Sequence, residues 1–277
     1  KRQEFIHWSA RLDDLTYAQT GIDISEGNHQ PQKGTLYHVD WKWSSGFKGA
    51  IGWNFVDSGW NIDLKYTWFY THARDEIFKD KAPIFPGFAI GTDSLAIKNC
   101  SAKWNIHYQI GDLRFNRSYL IHKSLKLTPF IGLKGMHQKQ EYKAIFNTTT
   151  STYQARFNHS LKGIGMSSGL DTAWQFTENF SLYGDFALGG LFLEHGIKRK
   201  DVFTTDSIPQ TPVNAESKIH SIKPNFELGL GFRAEGYIAH KRLHLLCQAG
   251  WESQLWPHQT VFIDNGYTSY DLNLHGL

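Results

Sequence analysis

The chain has 277 residues, with 29 Lys and Arg against 26 Asp and Glu and a formal charge of +3. That length holds one large β domain or two small ones, and no basic run points to nucleic acid. No run of eighteen apolar residues exists, so no transmembrane helix is available; the mean hydropathy of −0.43 suits a barrel whose strands face lipid on one side only.

The predicted elements are strands, recognised by side chains that alternate between two faces. Glu4–Thr20 reads as a first strand bent at Asp13–Asp14, and Gly21–Lys33 as a polar loop. Leu36–Trp43 sets Tyr37, Val39, Trp41 and Trp43 against His38, Asp40 and Lys42. Ser44–Gly46 reads as a tight turn, after which Phe47, Gly49, Ile51, Trp53 and Phe55 oppose Lys48, Ala50, Gly52 and Asn54. Asp57–Gly59 turns the chain into Trp60–Thr71. One face of that stretch is wholly apolar or aromatic, and the other is polar except at Phe69. Its twelve residues span roughly 40 Å at ~3.3 Å each, or roughly 28 Å of height when tilted, close to the apolar band of an outer-membrane barrel.

His72–Thr92 is the least regular segment and is the candidate for a constriction folded into the lumen. Alternation resumes with Cys100, Ala102, Trp104, Ile106, Tyr108 and Ile110 against Lys103, Asn105, His107 and Gln109. The pattern changes phase near Gly111–Asp112, which predicts a bulge or bend. Leu127–Lys134 follows, with Pro129 reading as an edge or bulge position. Asn147–Thr152 is a loop. Leu161–Phe176 and Phe180–Phe192 form a hairpin, with Trp174 outward and Asp171 and Asp185 inward. Lys198–Ser217 and Pro257–Gly266 read as loops, around strands carrying Glu227 and Arg233, then Trp251 and Glu252.

These elements predict an all-β transmembrane antiparallel barrel of about twelve strands (range ten to sixteen), with short turns on one side and long loops on the other. One domain is expected over 1–277. The wet face carries Asp40, Lys42, Lys48, Asp63, Lys65, Lys103, Lys134, Asp171, Asp185, Glu227, Arg233 and Glu252, the pore-lining candidates. The membrane-interface aromatics are Trp41, Trp43, Trp53, Trp60, Trp68, Trp104, Trp174 and Trp251. A soluble β-sandwich that binds glycans through exposed tryptophans, or an outer-membrane hydrolase, are the alternatives.

No catalytic, cofactor or metal residues stand out. Gly165–Gly169 spells GxSxG but lies mid-strand, where the nucleophile turn cannot form. Gly229–Ala234 opens no helix, and the histidines are scattered. Cys100 and Cys247 fit no metal spacing and are read either as one disulfide or as two free thiols.

Glu4–Ala18, Val39–Thr71, Leu125–Gly135, Gly169–Gly189 and Ala249–Trp256 together resemble the Legionella-type major outer membrane protein-like porins. The resemblance implies a pore-forming barrel in the bacterial outer membrane. It also implies lipid around the barrel, small hydrophilic solutes and ions as cargo, homo-oligomers, no nucleic acid and no catalytic residues. It leads one to expect a last strand running on to a terminal aromatic, whereas this chain stops at Leu277, so an incomplete C-terminal strand is expected.

Overall fold

The computed structural model describes residues 2–13, 15–20, 34–55, 58–78, 84–88, 97–205, 208–238, 243–264 and 266–277. Ten antiparallel strands form a closed ring: β1 (Arg2–Leu12), β4 (Trp43–Phe55), β5 (Trp60–Phe78), β7 (Asn99–Arg117), β9 (Leu125–Asn147), β10 (Ser151–Gln175), β11 (Phe180–Thr205), β12 (Ile208–Ile238), β13 (Leu243–Asp264) and β14 (Gly266–Gly276). The short β8 (Tyr119–His122) pairs along β9. The pairing of β10 with β9 and of β1 with β14 leaves no edge in the ring, which a span through hydrocarbon requires. A separate three-stranded sheet holds β2 (Thr16–Thr20), β3 (Leu36–His38) and β6 (Ile84–Pro86).

Several expected boundaries change. The first strand is divided between β1 and β2, with the break at Asp13; Asp14 and Gly21–Lys33 lie outside the described residues. Ser44–Gly46 are not a turn but the start of β4, paired with β1. Lys198–Ser217 is not a loop: β11 runs to Thr205 and β12 begins at Ile208. The segment from Pro257 continues β13 past a register shift between Trp256 and Thr260, where His258 has φ 50°. Polar composition disguised these strands, because above the lipid their outer faces meet water.

Pro129 faces Leu170 within β9, at the level where the β7–β9 pairing ends at Asn116–Phe130 and resumes at Tyr119–Leu127. On its β7 and β8 side Pro129 has no paired residue, which makes this a place where a residue without an amide hydrogen is tolerated. At Gly169, an added Cβ would lie 2.1 Å from the Phe186 carbonyl oxygen and 2.6 Å from the Phe130 ring, so only glycine fits that close approach.

An apolar belt encircles the short-turn half. On β12 it runs outward through Ile222, Phe226, Leu228, Leu230 and Phe232, and on β10 from Ile164 and Met166 to Trp174. Eleven residues at ~3.4 Å, tilted about 40°, give roughly 28 Å of height. Above it the outward face turns polar, with Lys162, Ser160, Asn158 and Arg156 on β10.

Both faces invert at that boundary. Inside the upper ring is an apolar core in which Trp104, Ile106, Tyr142, Phe146, Phe157 and Leu193 are buried. The three-stranded sheet brings Tyr17, Ala18 and Ile84 into the same core, joined by Leu15 and Val39 that flank its strands. The feature expected to be a bulge at Gly111–Asp112 is this inversion: β7 keeps continuous register with both neighbours through it.

Candidate functional site

Inside the belt, nine of the twelve ionisable candidates point into the lumen: Lys48, Asp63, Lys65, Lys134, Asp171, Asp185, Glu227, Arg233 and Glu252. The other three do not. Lys103 is on the outer wall of β7, because at its level the inward parity belongs to Trp104 and Ala102. Asp40 and Lys42 lie between β3 and β4 on the exposed surface, while Val39 and Trp41 turn inward.

Asp112, Arg114 and Glu4 join the lumen charges and were missed from sequence. The expected bend at Gly111–Asp112 hid the first two, although Asp112, Arg114 and Asn116 share one parity and mark the inner face.

The lumen charges form a cross-braced layer. Lys134, with no exposed side-chain surface, lies 2.8 Å from Asp112 on neighbouring β7 and 2.5 Å from Glu227 on β12. β10 and β11 intervene between β9 and β12, so the second contact crosses the interior. Arg114 reaches Glu227 at 3.6 Å and Asp171 at 3.7 Å, and its guanidinium covers the Phe130 ring. Lys48 on β4 pairs with Glu252 on β13 across the opposite wall. A cavity of about 110 Å³ lies within this layer, against Glu4, Lys48, Lys65, Arg114 and Asp171. A second, of about 250 Å³, lies towards the short turns against Asn61, Asp63, Asn116, Lys126 and Arg233.

Above the charges is a hydrogen-bonded layer. Tyr108 donates to Gln254 at 2.5 Å and accepts from the Trp256 indole at 3.1 Å. Trp104 donates to Gln140 at 3.0 Å, and Gln140 to Thr260 at 2.7 Å. His159 and His195 share a bond of 3.0 Å, and His195 meets Ser221 at 2.7 Å. Higher still, Phe88 packs edge-on against Tyr142, Phe146 and Phe157, and Trp41 against Trp104. Of His72–Thr92, residues 72–78 belong to β5 and 84–88 to this mouth packing; 79–83 and 89–92 lie outside the described residues. Tyr17 in β2 bonds Asp75 at 2.7 Å, and burial, then that bond, holds its phenol far above the usual range, as a neutral donor.

The interface aromatics divide likewise. Trp43, Trp53, Trp68, Trp174 and Trp251 are exposed on the outer wall, and Trp60 stacks on Phe115 at 4.4 Å. Trp41 and Trp104 do not anchor the barrel in the interface; they pack together inside its mouth. Cys100 is buried inside and Cys247 exposed outside, both free, so no disulfide joins them. Ser167 of the GxSxG spelling is buried mid-strand with no hydrogen-bond partner for its hydroxyl among the described residues. No cluster of three metal-ligating side chains occurs among the described residues.

An edgeless ring with an outer apolar belt, aromatic at its margin and charged within, defines a transmembrane β-barrel of the bacterial outer membrane. The family described as Legionella pneumophila major outer membrane protein precursor matches residues 5–277, and the chain belongs to that family. No curated protein matches the chain.

Proposed function

We propose that this barrel is a porin-like channel that passes small hydrophilic solutes and ions by passive diffusion, with weak charge selectivity. The observation that carries the reading is the charge-lined interior beneath a lipid-facing belt: ionisable side chains buried at membrane depth mark a permeation path. A ring of ten strands lies near the size at which side chains fill the interior, so passage requires the ionic layer and the mouth packing to yield. The protein acts as a pore and not as an enzyme; the mid-strand placement of Ser167 supports this.

Among the described residues of the ionic layer and the two cavities, the inward charges are Lys48, Lys65, Arg114, Lys126, Lys134 and Arg233 against Glu4, Asp63, Asp112, Asp171, Asp185, Glu227 and Glu252. This slight acidic excess predicts a mild preference for cations. Stepwise conductance in planar bilayers, with a small cation-selective reversal potential under a salt gradient, is the expected result. A silent bilayer over a wide range of voltage, or strong anion selectivity, overturns the reading.

A further inference from the structure

The outer wall above the belt carries a row of like charges that the channel reading does not use. Arg74 faces Lys103 across β5 and β7, and Lys103 faces Lys143 across β7 and β9. Lys143 then faces Arg156 across β9 and β10, and Arg156 faces Lys200 across β10 and β11. Five basic residues thus stand side by side on five consecutive strands, at one level of the ladder, all pointing away from the lumen. At about 4.8 Å between strands the row is roughly 19 Å long.

Like charges directly opposite in a sheet are destabilising, so such a row calls for an anion outside the chain. The protein answers it only in part: Glu76 lies 3.5 Å from Arg74 and Glu141 3.4 Å from Arg156, while Lys103, Lys143 and Lys200 have no ion pair among the described residues.

The position of the row selects the anion. It faces sideways, where a neighbour in the membrane stands, and not along the axis from which a diffusing ligand arrives. Arg156 is eight residues along β10 from Ile164 in the belt, roughly 20 Å higher at a tilt of about 40°. That exceeds the reach of a phospholipid phosphate. Lys162 adjoins Ile164 on the same outward face, and Lys139, Lys198 and Lys218 extend the basic surface between the belt and the row; Glu194 and Glu216 are interspersed at its lower levels. A partner anchored by acyl chains against the belt, with acidic groups spread over a tall head, meets this whole surface.

The geometry points to a binding site for an anionic glycolipid whose phosphate- and carboxylate-bearing sugars lie against the Arg74–Lys103–Lys143–Arg156–Lys200 row. The site is independent of whether the lumen conducts.

The test uses the whole chain folded in zwitterionic detergent, with its thermal midpoint followed by the β-sheet circular dichroism signal. Probes are deep-rough lipopolysaccharide, whose lipid carries acidic core sugars, and phosphatidylglycerol at equal charge. Lipopolysaccharide should raise the midpoint, and the shift should vanish in 0.5 M salt, where screening acts within a few ångströms. The triple variant K103Q/K143Q/K200Q should keep less than half of the shift while matching or exceeding the parent midpoint without glycolipid. Should the triple variant fail to fold, K143Q alone should lose a measurable part of the shift. Equal shifts in parent and variant, no shift in either, or an equal response to phosphatidylglycerol each overturn the proposal.

Discussion

Lys134 has two carboxylate partners and no contact with water, so removing it is a lopsided change. The ammonium leaves, but both carboxylates stay buried: Asp112 loses the ammonium beside it, and Glu227 is left with Arg114 at 3.6 Å. Breaking such a pair from one side costs about 3–5 kcal/mol, whereas replacing the whole set by apolar groups can be neutral. Lys134→Ala should therefore lower the unfolding free energy of the detergent-folded protein, read from urea titration, by that order, and adding Glu227→Gln to it should recover part of the loss. The same single variant should raise conductance, because one cross-brace of the lumen is gone. A parallel contrast applies to tryptophan. Trp104→Ala removes a ring enclosed in the mouth core and should cost about 3–5 kcal/mol, while Trp53→Ala, on the lipid face, should cost far less. Unfolding midpoints in matched detergent decide between these outcomes.

The upper strands differ from the lower ones in which face the core takes. The alternation itself was legible: Trp60–Thr71 has the face assignment its parity indicates, and so does the hairpin of β10 and β11. What parity alone does not say is which face is inside. Below the boundary the apolar face meets lipid and the polar face the lumen; above it the apolar face meets the core and the polar face water. Phe69, the one aromatic on the polar side of Trp60–Thr71, is fully buried where this reversal begins and marks it in the sequence. Lys103, Trp41 and Trp104 therefore take the opposite face from the one the lower rule predicts for them. The mouth packing is also where the interior should yield. Phe88→Ala and Trp41→Ala shorten side chains that join the inner sheet to the wall, and each should increase the fraction of time spent conducting in single-channel records. Unchanged open probability in both variants would locate the closure in the ionic layer.

For the molecule as a whole, the ring strands follow one another around the wall in chain order, and only one pairing joins opposite ends of that order. β1 pairs with β14 through Trp8–Gly276 to Leu12–Leu272, and His7 exchanges backbone hydrogen bonds with Leu277. These contacts join residues separated by almost the full length of the sequence, and closing so long a loop is entropically late. Until they form, β1 and β14 expose unpaired amides and carbonyls that hydrocarbon does not tolerate. Pairing of neighbouring hairpins alone therefore does not seal the wall: the ring closes only when the eleven residues of β14 lie beside β1. The β1–β14 seam is thus the one place in the ring where sealing against hydrocarbon depends on contacts distant in sequence, and any factor that holds the ring open would have to engage it there.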